Sequence, residues 1–124
     1  AYKEPPDKAY PKKTDVDANY VKLTETLLRA AKQTPDLYPA LATHDPKMID
    51  AAKRYASQHG VPSSSFEFQM LYGIRRDLQE RTSKEGFNVR VYVPYGTQWY
   101  PYFMRRLAER PANLWFFVSS LFRP

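Results

Sequence analysis

From Asp15 to about Gln33 the apolar positions fall at Val16, Tyr20, Leu23, Leu27 and Ala30 or Ala31, the spacing of one buried stripe along a helix. Thr14 or Asp15 is placed to cap its exposed amides, and the helix is expected to stop before "TPD", because Pro35 disfavours helical geometry in Thr34. The period then changes. "LYPALATHD" is short, continuous and apolar, the pattern of a strand buried on both faces. Asp45 followed by Pro46 reads as a cap and a first-turn proline, opening a helix to about His59 that Gly60 closes. Small polar residues from Ser57 to Ser65 predict a turn, and "SSFEFQML" is a second strand. Gly73 leads into the charged helical run "IRRDLQERTSKEG". In "FNVRVYVPYG", β-branched and aromatic residues alternate up to a turn at Pro94 to Gly96. A helix carrying "YPYFMRRLAER" follows, and "PANLWFFVSSLF", opened by Pro111, is a last amphipathic segment. The opening "AYKEPPDKAYPKKTD" has three prolines and no period, and reads as loop.

The predicted order is a helix at 14–34, strand-helix units at 38–60, 65–84 and 88–110, and a terminal helix at 111–122. Strands alternating with helices at this spacing imply an α/β fold with a parallel sheet, since each return to the sheet needs a crossover. Three parallel strands alone would have two open edges and little core. The units are therefore expected to be consecutive pieces of a larger α/β fold whose earlier strands are missing from the chain. In such folds ligands lie beyond the carboxyl ends of the strands. Those ends collect Ala42, Thr43, His44 and Asp45, then Gln69, Met70, Leu71 and Tyr72, then Tyr92, Val93, Pro94, Tyr95 and Gly96.

Composition narrows the chemistry. The 124 residues, 43% hydrophobic and 15% aromatic, argue for one packed domain and against disorder. The formal charge of +6 suits an anionic partner, although the basic residues are scattered as on an ordinary solvated surface. The absence of cysteine excludes disulfides, thiol catalysis and thiolate metal sites. No apolar run approaches the ~18 residues of a bilayer span and no charged-then-apolar leader is present, so neither a transmembrane helix nor a signal peptide is expected. Only four glycines occur, with no phosphate-cradling motif. Metal binding is disfavoured, because Asp45 is the only carboxylate near His44 and is wanted by the helix cap. His59 reads as a helix C-terminal cation. Phe66, Phe68, Trp115 and Phe116 are assigned to the core.

The chemistry-bearing motif is on the aromatic helix. Tyr102, Arg105, Arg106 and Glu109 lie at i, i+3, i+4 and i+7, on one face, while Phe103, Met104, Leu107 and Ala108 cover the remainder. Following a strand end, such a face can point over the mouth of the sheet, where two adjacent guanidiniums could grip one carboxylate with planar hydrogen bonds that lysine cannot reproduce. The alternative is an exposed ion-pair stripe of Arg105 or Arg106 with Glu109. His44 at a strand end fits a general base, a metal ligand or a donor to a cofactor, and equally a capping or packed histidine.

Taken together, "AY" with "EPP", "VDANY", "YPALATHD", "FEFQMLYG", "VRVYVPYG" and "YFMRRLAERPAN" resemble, in order and over essentially the whole chain, the second half of the proline dehydrogenase family. The resemblance implies the C-terminal half of a (β/α)₈ TIM-type barrel, related to methylenetetrahydrofolate reductase, with three parallel strands and a terminal helix. It implies FAD over the carboxyl ends of the strands with L-proline against the flavin. Hydride would pass from the ring carbon beside the nitrogen to flavin N5, giving Δ1-pyrroline-5-carboxylate, and electrons would go on to a membrane quinone.

By the same resemblance, Arg105 and Arg106 bind the proline carboxylate, Tyr102 and Tyr92 wall the substrate, and Leu71 is its apolar contact. Thr43 and His44 contact FAD, Ala1 and Tyr2 end a Lys-Gly-Ala-Tyr cofactor strand, and Glu109 lies near the ribityl chain or an arginine neighbour. No catalytic residue and no metal ligand are assigned in this stretch. The chain begins inside the Lys-Gly-Ala-Tyr motif, so it is expected to be part of a longer polypeptide or a cleavage product, inactive without its missing N-terminal half. That half carries a further carboxylate-facing lysine and an aspartate near the flavin. A cytoplasmic location, with peripheral attachment at the inner face of the membrane, follows from the quinone. The competing function is a basic peripheral membrane-binding module without catalysis, docking through "LWFFVSSLFR" and Arg123. Nucleic-acid binding is disfavoured, because the aromatics sit at strand ends and are not interleaved with a basic stripe.

Overall fold

The chain was analysed as a computed structural model that describes residues 4–108. Its elements are α1 (Lys13–Gln33), β1 (Ala40–Ala42), α2 (Pro46–His59), a single 3-10 turn at Ser63–Ser65, β2 (Glu67–Leu71), α3 (Arg76–Lys84), β3 (Asn88–Tyr92) and α4 (Trp99–Ala108). Ala1, Tyr2, Glu109, Trp115, Phe116, Arg123 and the predicted helix at 111–122 lie outside the described residues.

Local chemistry sets the boundaries of α2. Asp45 Oδ1 accepts from the Lys47 N–H at 2.9 Å, Pro46 fills the first turn, and Gly60 adopts φ 63° to end the helix. The start of α1 differs from expectation. It begins at Lys13 with Lys12 at the cap position making no side-chain bond, so Thr14 and Asp15 lie inside the first turn, where Asp15 favours the helix dipole without capping it. Its buried stripe is also different. Thr24, Leu28 and Ala31 are buried, while Val16, Leu23 and Leu27 are exposed. The apolar arc of α1 is wider than the contact with α2, and the part that faces the core is the i, i+4, i+7 row from Thr24.

All three strands are parallel, in the order β1-β2-β3. The pairings are Leu41 with Phe68, Phe68 with Val89, and Met70 with Val91, which puts these side chains on one face. Ala40, Ala42, Glu67, Gln69, Leu71, Asn88, Arg90 and Tyr92 share the other. The expectation that the first strand is buried on both faces is therefore corrected. β1 is three residues long and alternates, Leu41 buried between exposed Ala40 and Ala42, because helices cover only one side of it. β3 is more exposed still.

The core lies between the helices and that first face. Leu28, Ile49, Ala52, Tyr55, Phe66, Phe68, Met70 and Leu78 pack there, with Phe66 and Phe68 nearly sealed from solvent as the sequence suggests. Phe66, Phe68 and Phe87 form a ring cluster with centroids 5.6 to 6.0 Å apart, two of its three contacts edge-on. No helix among the described residues is long and apolar enough to cross a membrane.

The opposite face holds a polar layer. Glu67, 5% exposed, takes a two-pronged contact from Arg90, Nε to Oε1 at 2.6 Å and Nη2 to Oε2 at 2.9 Å. Gln69 Nε2 adds a third bond to Oε1 at 2.8 Å. The Arg90 guanidinium holds the Glu67 carboxyl below its ordinary range, against a burial effect that pushes it up.

Two outcomes follow from this packing. Phe68→Ala should destabilise the protein by about 3 to 5 kcal/mol in urea unfolding, the range for emptying a sealed aromatic site. The Glu67 contribution has a definite sign. Between its lowered folded pKa and the ordinary carboxyl value the unfolded chain binds the extra proton, so the stabilisation is complete above the ordinary value and disappears as pH falls through the lowered one. In Arg90→Met only burial and Gln69 remain. The carboxyl should then titrate higher by NMR, and acid unfolding should begin at higher pH than in the parent.

Candidate functional site

The polar groups at the carboxyl ends of the strands are held by local hydrogen bonds. At β1, the Thr43 N–H extends the pairing to Gln69 O at 3.3 Å, and its hydroxyl accepts from the Asp45 N–H at 3.0 Å. Thr43 is thus buried in the turn that launches α2. His44, half-buried, reaches sideways to β2, where its Nε2 accepts from the Leu71 N–H at 2.9 Å. As the acceptor of that bond the His44 ring ties β1 to β2.

At the end of β2, Leu71 pairs with Tyr92 of β3, and the Tyr72 N–H continues the ladder to Tyr92 O at 2.9 Å. Leu71 and Tyr92 are on the same face of the sheet, one residue-pair beyond the Glu67, Gln69 and Arg90 layer. Tyr92 is more than half exposed, and its ring lies 6.0 Å from that of Tyr102, inclined at 47°. Tyr102 in turn carries the Arg106 guanidinium over its face, 5.5 Å from the ring centroid. Arg105 is exposed beside Arg106 on α4.

The structure therefore links His44, Leu71, Tyr92, Tyr102 and Arg106 by successive contacts at the rim of the sheet, with Thr43 next to His44 and Arg105 next to Arg106 in the chain. Of the predicted face of α4, Tyr102, Arg105 and Arg106 are described, and the pairing of either arginine with Glu109 lies outside the described residues. Phe103 and Met104 are half-buried, as expected for the other side of the helix.

His59 is at the other end of the molecule, in the last turn of α2, stacked on Tyr55 with centroids 4.0 Å apart. Its carbonyl accepts from Lys32 Nζ at 2.6 Å, and a cleft of about 670 Å³ there includes Arg29, Lys32, Tyr55 and His59. The cations of this cleft are tied to helix ends and to a tyrosine hydroxyl, Arg29 Nε donating to Tyr55 at 3.2 Å, so they serve the α1–α2 contact.

Three residues that support the rim were missed in the sequence. Glu67 and Arg90 had a signal, polar residues in phase within two strands whose alternate positions are aromatic or β-branched. Gln79 had none. It sits in a charged helix, yet its side-chain amide donates to Leu71 O at 3.0 Å and Ile74 O at 2.8 Å.

What the rim can do chemically is bind a flat or cyclic group against Tyr92 and Tyr102 while a guanidinium meets an acid group beyond them. A family model described as proline dehydrogenase matches residues 2–118. The "Proline dehydrogenase" of Deinococcus radiodurans is 50% identical over 123 residues, covering 99% of this chain and 38% of that protein. "Proline dehydrogenase 2" of Bacillus subtilis is 53% identical over 121 residues, covering 98% of this chain and 38% of that protein. "Proline dehydrogenase 2, mitochondrial" of Arabidopsis thaliana is 33% identical over 87 residues, 67% of this chain and 18% of that protein. The chain thus spans 38% of the length of the two bacterial relatives. With a family match that runs through the sheet, the rim and the arginine helix, the chain belongs to the proline dehydrogenase family.

Proposed function

We propose that this chain supplies the substrate carboxylate clamp and part of the FAD site of an enzyme that oxidises L-proline to Δ1-pyrroline-5-carboxylate. The observation that carries the reading is the unbroken line from Leu71 through Tyr92 and Tyr102 to Arg106. It offers an apolar contact, two ring faces and a planar cation in the order a small cyclic amino acid would need them. Arg106, oriented by Tyr102, and Arg105 beside it hold the carboxylate. Tyr92 and Tyr102 flank the ring and keep water from it, and Leu71 closes the apolar side.

The residues present fit one side of a flavin. Thr43 and His44 stand at the carboxyl end of β1, beside Leu71, with hydroxyl and Nε2 already engaged in the turn and in β2. They would hold FAD as a rigid boundary, with Ala1, Tyr2 and Glu109 as the further contacts in this reading. When bound, FAD supplies the two-electron acceptor for the hydride leaving the ring carbon beside the proline nitrogen. The strands of the rest of a (β/α)₈ barrel would complete the site, since half a barrel leaves one side of the rim uncovered. Quinone as the final acceptor, with a cytoplasmic protein attached peripherally to the membrane that holds it, belongs to the same reading.

Arg105→Met and Arg106→Met, made in the full-length protein, test it. Losing a charged partner of the carboxylate costs about 2 to 4 kcal/mol, so the KM for proline should rise about 30- to 900-fold. Bound flavin, read from its visible absorption, should stay nearly unchanged. Loss of flavin in parallel with the rise in KM would make the pair structural and defeat the proposal.

A further inference from the structure

Both main-chain polar groups of Leu71 are gripped by side chains from other elements. Its N–H is taken by His44 Nε2 at 2.9 Å, and its carbonyl accepts from Gln79 Nε2 at 3.0 Å. The same amide nitrogen of Gln79 donates to Ile74 O at 2.8 Å, so one side chain on α3 spans the whole turn from the last residue of β2 to the residue before Arg75. Gln79 is half-buried there, and Ile74 is 2% exposed.

The turn it spans leads straight into a strained residue. Gly73 has φ 77° and Arg75 φ 51°, and Arg75 is the one residue other than glycine with positive φ among the described residues. A side chain in that region crowds its own backbone and persists only where the surroundings hold it. Arg75 is held by its two bonds of 3.1 Å to Asp77, and the Ile74 N–H returns to Leu71 O at 3.3 Å. Gln79 closes the remaining gap. Without its two donors the Leu71 carbonyl keeps one weak partner, and the turn can relax by moving Leu71.

We infer that Gln79 is a positioning residue that fixes how far the Leu71 side chain stands forward at the rim, and that it thereby sets selectivity for the ring size of the amino acid bound there. The inference rests on the reading of Leu71 as the apolar contact of proline. It adds a residue with no place at the rim itself, acting through the backbone of one that has. A wall held at both main-chain groups cannot give way to a larger ring. A wall held at one can.

The test uses the full-length flavin-loaded protein with L-proline and its six-membered homologue, L-pipecolate. Gln79→Met keeps the length of the side chain and removes both donors. One methylene in an apolar pocket is discriminated by about 10- to 200-fold, so relaxing the wall should lower the ratio of kcat/KM for proline over pipecolate about tenfold. The KM for proline should rise more than kcat falls, with flavin content unchanged. In a Leu71→Ala background the same substitution should leave the ratio where Leu71→Ala alone puts it, because the group being positioned is gone. A merely structural glutamine would lower stability in both backgrounds and move the ratio in neither. Should Gln79→Met fail to fold, Gln79→Glu carries the same expectation at neutral pH, since a carboxylate cannot donate to either carbonyl.

An unchanged ratio, or an equal shift with and without Leu71, would overturn the inference alone, provided Arg106→Met still raises the KM for proline. A parent protein that binds flavin and does not oxidise proline would remove both this inference and the reading beneath it.

Discussion

Burial of one side of the middle strand is the constraint on which the rest of this structure depends. Phe68 is fully buried and Met70 nearly so, and Phe66 just before the strand joins them against α2 and α3. A strand has only two faces, so once Phe68 and Met70 face the helices, Glu67, Gln69 and Leu71 must face away. A slip of one residue would drive the Glu67 carboxylate into the phenylalanine cluster and turn Phe68 outward. Hydrophobic burial and the cost of an unpaired buried charge thus select the same register. Parallel pairing then passes that register to β1 and β3 on either side.

The polar layer on the far face is the other half of the same arrangement. A carboxylate 5% exposed is costly unless its oxygens are occupied, and Arg90 and Gln69 occupy both. Arg90 is two residues before Tyr92 on β3, and Glu67 is four before Leu71 on β2. The ion pair therefore joins the two strands just beneath the residues that form the rim. It does for the side chains what the backbone ladder does for the main chain, and it makes sliding of β3 along β2 costly without placing any charge in the site itself.

How much of this was legible depended on whether the deciding interaction was local. The alternation of strand and helix, the Asp45 cap and the Gly60 stop rest on neighbours in sequence, and the structure has them where the pattern put them. The buried side of α1 was not legible, because two adjacent apolar rows satisfy the same period and only the position of α2 chooses between them. β1 looked buried on both faces because alanines are apolar on either side of a sheet. His44 was placed at the rim, but nothing near it in sequence marks its partner, the Leu71 N–H 27 residues away. Gln79 was invisible for a stricter reason. Nothing in a charged helix marks the glutamine whose partners are carbonyls of the preceding turn.

The arginine pair shows how that middle strand reaches the chemistry. A guanidinium laid over a ring face is oriented while its N–H groups still point outward in the plane, whereas a carboxylate partner would take two of them. Arg106 lies over the face of Tyr102, one helical turn before it. Tyr102 rests against Tyr92, and Tyr92 is set by its pairing with Leu71 at the end of β2. An aromatic-rich helix is thus a reasonable place for two arginines. The rings place a cation by its face, and the position of that cation is inherited, through three contacts, from the strand whose other side is the core.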